Sequence, residues 1–201
     1  MNTKKLTLSL AATAALGVLA VGGAVAFAAV PNTTVQAAGP QTVATGDAKI
    51  AKECVAAGQD VPDPAGWRPG ARIDVDAQHG FLVIRDDKNA AVCVIENGKG
   101  TGIMGGDIDS RHAYGNLTAA RPFDYLSSMN YTTESIHFGI ATKDVTGVSL
   151  VGPDHSVAAG IVKDGTFIVK TKFAEDSNQH TTNHVRATLG NGQVIAGPFR
   201  G

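Results

Sequence analysis

The sequence is poor in charged and aromatic residues, and it contains only two cysteines and one tryptophan. Charged residues make up 17% of the chain, and the formal net charge is -1. This balance argues against nucleic acid and anionic lipid as partners, because both require clustered lysine and arginine. The two cysteines stand too far apart for the C-x-x-C motif of a redox enzyme.

Residues 1–28 have the pattern of an export signal, in which a short basic segment precedes a long apolar run. The Ala-Phe-Ala triplet at 26–28 matches the cleavage pattern and leaves Ala29 as the new terminus, and a second candidate lies at 35–37. The alternative is an uncleaved membrane anchor, since the run approaches the roughly 20 residues that span a bilayer. Its alanine and glycine content favours cleavage, which predicts a secreted or cell-envelope protein that has no membrane attachment afterwards.

The remaining chain divides into a proline-punctuated flexible tether at 29–45 and a single, mostly β domain at 46–201. Export changes the interpretation of Cys54 and Cys93. In an oxidising compartment, two cysteines are most simply a disulfide bond, the alternative being two buried thiols.

A helix is predicted over residues 47–57, with Asp47 as its cap and Gly58 at its end. One face of this helix is apolar and would place a cysteine against the core. That face carries Ile50, Ala51, Cys54 and Val55.

The rest of the domain has the short apolar runs and turn signals of antiparallel strands. Residues 81–97 predict a central hairpin, because both faces of its strands are apolar, and Asp164-Gly165 predicts a tight turn. Further strands are predicted at 73–77, 136–140, 145–151, 156–162, 166–173, 184–189 and 193–196. The predicted fold class is mainly β, with one amino-terminal helix packed on an antiparallel sheet or sandwich.

Three stretches interrupt this pattern. Prolines and glycines divide residues 61–72, where no regular structure is expected. Trp67 lies in this stretch, and we expect it to plug the loop onto the core rather than to stack on a ligand. Residues 98–115 are glycine-rich and predict a mobile loop, whereas 117–129 are ambiguous, with one helical turn predicted at 121–126.

Weak candidates for metal ligands occur at two places. His180 and His184 have the spacing of a helical metal pair, but the residues between them are poor helix formers, and an extended chain would hold the rings roughly 13 Å apart. Asp107, Asp109 and His112 lack the glycine-turned loop that calcium sites use. Solvated loop acids are the simpler interpretation, so no metal or other cofactor is predicted.

Motifs of catalytic machinery are incomplete. The segment 147–151 misses the second glycine of G-x-S-x-G. The G-x-G-x-x-G match at 100–105 has no helical pattern after it, as a dinucleotide site requires. His137 lies in a predicted strand and is expected to be a surface or core histidine. No catalytic residue is therefore predicted.

Several short motifs, taken in order, resemble small exported proteins of actinobacteria. They are KEC at 52–54, GWRP at 66–69, LVIR at 82–85, AVC at 91–93, VTGVSL at 145–150 and DGTF at 164–167. The resemblance implies a cysteine-bearing helix and hairpin followed by a β-region. It implies no activity, because none is established for such proteins.

The expected function is that of a non-catalytic secreted or cell-envelope domain, which binds an unknown envelope or secreted partner or acts structurally. The alternative is a secreted hydrolase or metal-dependent enzyme that uses the loops at 98–115 and 175–184. It requires the acids and histidines of those loops to converge. A third possibility, an anchored sensor domain, requires an uncleaved leader.

Overall fold

A computed structural model of the protein describes residues 44–106, 114–131, 134–152, 155–172 and 184–197. One helix, α1 (Ala44–Ala57), precedes twelve strands in these ranges. Sheet I consists, in spatial order, of β1 (Arg68–Asp74), β2 (Gly80–Arg85), β3 (Ala90–Glu96) and β4 (Lys99–Gly106). All neighbouring strands are antiparallel, and short 3-10 helices occupy Pro64–Gly66 and Tyr114–Asn116.

Two further antiparallel sheets follow. Sheet II contains β5 (Phe123–Asn130), β6 (Glu134–Ala141), β9 (Ile161–Lys163) and β10 (Thr166–Lys172), in the order β5-β6-β10-β9. Sheet III contains β7 (Val145–Val151), β8 (Val157–Ala159), β11 (His184–Leu189) and β12 (Val194–Ala196), in the order β12-β11-β7-β8. The mainly β prediction with one helix is confirmed. Of the two arrangements left open, the structure has stacked sheets.

Sheet II is the middle layer of the stack. One of its faces packs on sheet I, where Ile136, Phe138 and Ile168 contact Val83 and Val92. Its other face packs on sheet III through a second apolar cluster, which includes Phe167, Val169, Leu150 and Val185. Successive side chains of a strand point to opposite faces. Because both faces of sheet II are covered, most residues of both alternating sets in β6 and β10 are buried.

Helix α1 covers the outer face of sheet I. A disulfide bond joins Cys54 of the helix to Cys93 of β3, with a Cα–Cα distance of 5.7 Å, so the predicted disulfide is confirmed. The predicted apolar helix face is also buried against β2 and β3. On the chain-entropy model, a crosslink of this loop length stabilises the fold by roughly 4 kcal/mol.

The predicted role of Asp47 as a helix cap is wrong, because the helix begins three residues earlier. The Asp47 carboxylate is instead buried beside β1 and β9. It accepts a hydrogen bond of 2.8 Å from Arg72, and the Lys163 ammonium lies 3.6 Å away. A buried carboxylate needs such cationic partners, and here they connect the helix to sheets I and II.

The prediction of a mobile loop over 98–115 is wrong for residues 99–106, which form β4. The glycines of this strand allow the helix to lie directly on it. A Cβ atom on Gly100 would stand only 2.4 Å from the Ile50 carbonyl oxygen. The Glu53 carboxylate also accepts a 2.9 Å hydrogen bond from the Gly100 amide. Residues 107–113 lie outside the described part of the chain.

Strand β1 begins inside the stretch 61–72, where no regular structure was predicted. It is an edge strand, which tolerates a proline, and its register shifts after Pro69. Gly70 gives sheet II room to approach, since a Cβ there would lie 2.2 Å from the Thr166 hydroxyl oxygen. That oxygen accepts a 2.7 Å hydrogen bond from the Ala71 amide.

The helical turn predicted at 121–126 is also wrong, because this segment begins β5. The register shifts between Tyr125 and Ser127, so β5 carries a bulge. Phe123 and Tyr125 therefore pack toward sheet III, whereas Leu126 packs toward sheet I. The bulge breaks the period of two and removes the alternation by which a strand is recognised.

The single strand predicted at 156–162 is two strands in different sheets. Gly160 separates β8 of sheet III from β9 of sheet II, and a Cβ there would lie 2.6 Å from a Val148 methyl carbon. The predicted turn after β9 is confirmed: Asp164 and Gly165 have φ values of 49° and 73°, the left-handed conformation that two-residue hairpin turns require.

Gly100→Ala should destabilise the protein by about 1–3 kcal/mol, because the new methyl group overpacks the contact between α1 and β4. The measurement is urea unfolding of the oxidised protein. Gly102→Ala is the matched control on the same strand, since a Cβ at Gly102 meets nothing within 4 Å. It should change the unfolding free energy by less than about 0.5 kcal/mol. Equal losses in both variants would contradict the proposed close approach.

Candidate ligand-binding site

The predicted metal candidates do not form a site in the described residues. Asp107, Asp109, His112 and His180 lie outside the described ranges, and His184 is the half-buried first residue of β11. Within those ranges, no group of three histidine, cysteine, aspartate or glutamate side chains could hold a metal ion. No described helix is long and apolar enough to cross a membrane.

Two described parts of the loops proposed for an enzyme lie in different layers. Residues 99–106 form β4 of sheet I, and His184 belongs to sheet III. Sheet II lies between these two sheets. Strand β4 and His184 therefore do not meet at one site.

Trp67 and His137 are both buried. The Trp67 indole packs with Ile50, Ile84 and other side chains of the core between helix and sheet I, and its Nε1 donates a 2.8 Å hydrogen bond to the Pro62 carbonyl oxygen. Its predicted role as a plug is confirmed. His137 faces sheet III from β6, and its Nε2 is hydrogen-bonded to the Ser135 hydroxyl at 2.8 Å. It is a core histidine.

The structure contains an open cleft at one end of the interface between sheets I and II, with a volume of about 760 Å³. Ligand sites of this size are concave and mostly apolar, with a few polar groups that fix orientation. The apolar lining consists of Val75, Phe81, Val94, Ile95, Tyr131 and Ile136. The polar side chains in the lining are His79, Glu96, Glu134 and Lys172.

The wall from sheet I is largely apolar. Phe81 and Val94 continue the inner face of β2 and β3 beyond the packed interface. The Phe81 ring packs edge-on against Phe138 of sheet II, with ring centroids 5.3 Å apart. Aromatic side chains in this setting offer a large apolar contact area at fixed geometry.

The wall from sheet II changes from apolar to charged at the same end. Glu134 follows the face of Ile136 by a spacing of two, and Lys170 is the cross-strand partner of Ile136. Both therefore face sheet I, as does Lys172 opposite Glu134. The Lys170 ammonium lies 2.9 Å from the Glu134 carboxylate. At this end of the interface, charged side chains take the place of the apolar side chains that fill the space between the two sheets. The sheets are therefore not packed together here, and a cleft remains.

The opposite end of the same interface is closed. The Arg85 guanidinium lies over the Tyr114 ring, 4.2 Å from its centroid, and donates a 2.9 Å hydrogen bond to the Asp164 carbonyl oxygen. The Tyr114 hydroxyl donates to the Gly165 carbonyl oxygen at 3.0 Å. Burial raises the pKa of Tyr114 to about 12. These hydrogen bonds connect the turn between β9 and β10 to Arg85 of sheet I and to Tyr114.

The lips of the cleft carry exposed apolar side chains. Among the described residues, four large hydrophobic side chains are exposed, and two of them line this cleft: Val75, at 49%, and Tyr131, at 48%. Val75 directly follows β1 of sheet I, and Tyr131 directly follows β5 of sheet II. The other two, Val157 and Val194, lie on the edge strands of sheet III. Exposed apolar groups gathered at a concave site mark a binding surface more strongly than scattered ones do.

The loop that connects β1 to β2 forms one lip of the cleft, and the Asp76 carboxylate fixes the conformation of this loop. Asp76 accepts hydrogen bonds from the amides of Gln78, at 2.7 Å, and His79, at 2.8 Å. It also pairs with His79 Nδ1 at 2.8 Å. The Gln78 amide, followed by the His79 side chain and amide, lowers the pKa of Asp76 below its ordinary value.

Sequence reasoning did not predict this cleft. It arises where β6 and β10, which are distant in the chain, both place charged residues on the face turned to sheet I. The strand predicted at 166–173 forms β10 over its described part. What the sequence did not reveal was which sheet each face would meet.

No protein-family model, curated protein or solved structure matches this chain.

The amides of Gln78 and His79 should report the titration of Asp76. Because the pKa of Asp76 is lowered in the folded state, its contribution to the lip is present above the unfolded value of about 3.9 and is lost as the pH falls through the lower folded value. NMR of the Asp76 carboxyl carbon and of both amides measures this. Asp76→Asn should abolish the amide titration. A midpoint at or above about 3.9 would contradict the hydrogen-bond assignment.

Proposed function

We propose that this protein is a non-catalytic exported domain, secreted or held in the cell envelope, which binds a small amphipathic ligand in the cleft between sheets I and II. The single observation that carries this proposal is the mixed lining of the cleft. Apolar side chains, among them Phe81, Val94 and Ile136, lie beside the charged side chains of Glu96, Glu134 and Lys172. A ligand with one apolar and one polar part satisfies both kinds of side chain.

The disulfide supports the proposed location. Disulfide bonds persist in oxidising compartments and are rare in the cytosol, and Cys54 and Cys93 are joined. The leader pattern at 1–28 is consistent with the same route. The ligand would then be met outside the cytoplasm, among envelope components or secreted molecules.

Binding is favoured over the alternative of a hydrolase or metal-dependent enzyme. That alternative needs residues from the segments 98–115 and 175–184 in one place, whereas β4 of the first segment and His184 of the second lie in different sheets. The cleft, by contrast, is assembled from described residues of both sheets. Its lips are apolar, and its only described histidine, His79, pairs with Asp76.

The folded protein should bind a neutral apolar dye such as Nile red, with a rise in fluorescence. The double variant Val75→Ser/Tyr131→Ser should weaken this binding about tenfold, because both side chains lose apolar area that the dye covers. Dye titration at constant protein concentration measures the change.

The matched control is Val157→Ser/Val194→Ser, which removes the two exposed apolar side chains of sheet III. This control should leave dye affinity unchanged. Equal weakening by both double variants, or no dye binding by the wild-type protein, would overturn the assignment of the cleft.

A further inference from the structure

We propose that the ligand of the cleft is a short peptide with free termini, whose ammonium group contacts Glu96 and whose carboxylate contacts Lys172. This inference rests on the proposed function, because it assigns a chemical class to the molecule bound in the same cleft. Its basis is the pattern of paired and unpaired charges along the two walls.

Two polar side chains of the cleft already have partners within the protein. Glu134 pairs with Lys170 at 2.9 Å, and His79 Nδ1 lies 2.8 Å from the Asp76 carboxylate. Glu96 and Lys172, in contrast, make no ion pair with any residue that the structure describes. Both are exposed at the mouth of the cleft. One negative and one positive group are therefore available to a ligand.

These two charges stand on opposite walls. Glu96 is the last residue of β3 in sheet I, and Lys172 is the last residue of β10 in sheet II. A ligand with a single charge would satisfy only one of them. A zwitterion oriented across the cleft complements both, and electrostatic complementarity of this kind fixes orientation.

The interior of the cleft favours a peptide over a hydrocarbon chain. The Glu134–Lys170 pair faces the gap with side chains that are 21% and 23% exposed. An acyl chain would remove the remaining water from this pair without replacing its hydrogen bonds, which is costly. Peptide N–H and C=O groups can replace them, while an apolar side chain packs on Phe81 and Ile136.

The test uses alanyl-phenylalanyl-alanine in four forms: with free termini, N-acetylated, C-amidated, and blocked at both ends. Binding is measured by competition with Nile red and by calorimetry. The free peptide should bind the wild-type protein, and each block should weaken binding about two- to fivefold, the range for exposed ion pairs.

Variants assign each terminus to its partner. In Glu96→Gln, N-acetylation should cause no further loss, whereas C-amidation should still weaken binding. In Lys172→Gln, the pattern should be reversed. Asp144→Asn and Lys88→Gln are matched controls, since these exposed charges lie in turns outside the cleft. Both should bind all four peptides as the wild-type protein does.

Two outcomes would overturn the inference. Equal affinity for all four peptides would show that the termini are not recognised. Sensitivity to one block only would indicate a ligand with a single charge. In either case, dye binding that still depends on Val75 and Tyr131 would leave the proposed function intact, whereas loss of that dependence would remove both proposals.

Discussion

The burial of sheet II on both faces is the constraint on which the rest of the structure depends. Its two central strands contact sheet I on one side and sheet III on the other, so a polar side chain there must have a partner or a solvent-filled gap. On the sheet III side, the Ser135 hydroxyl is hydrogen-bonded to His137 Nε2. Glu134 and Lys170 pair on the sheet I side, where the two sheets leave the cleft. The candidate site therefore lies where the face of sheet II that is turned to sheet I changes from apolar to charged side chains.

Close approach of the layers depends on residues without side chains. Gly100 leaves space for helix α1, and Gly160 leaves space for the chain as it passes from sheet III to sheet II. Interiors pack at crystal-like density, so these two glycines set the distance between layers. Within sheet II, Gly139 of β6 leaves space that the ring of its cross-strand partner Phe167 fills, since a Cβ there would lie 2.2 Å from the ring. The high glycine content therefore reflects stacking as well as turns.

The sequence predicted those parts of the fold in which local signals agree with tertiary contacts. The hairpin at 81–97 and the helix face around Cys54 were predicted from apolar patterns, and the plug formed by Trp67 was predicted from the burial that a lone large aromatic side chain favours. Strand β4 was not predicted. Its sequence signal is Asn97-Gly98, a dipeptide typical of two-residue hairpin turns, and both residues have positive φ in the structure. The cleft was not predictable, because it depends on which sheet the alternate faces of β6 and β10 meet.

The proposed binding mode requires ligands to enter the protein between sheets I and II. Methyl NMR with a neutral aromatic nitroxide, 4-benzoyloxy-TEMPO, tests this requirement, because a paramagnetic probe broadens the signals of the methyl groups that it contacts. We predict that the methyl signals of Val94 and Ile136, inside the cleft, broaden more than those of the exposed Val157 and Val194. Stronger broadening of Val157 and Val194 would contradict the claim.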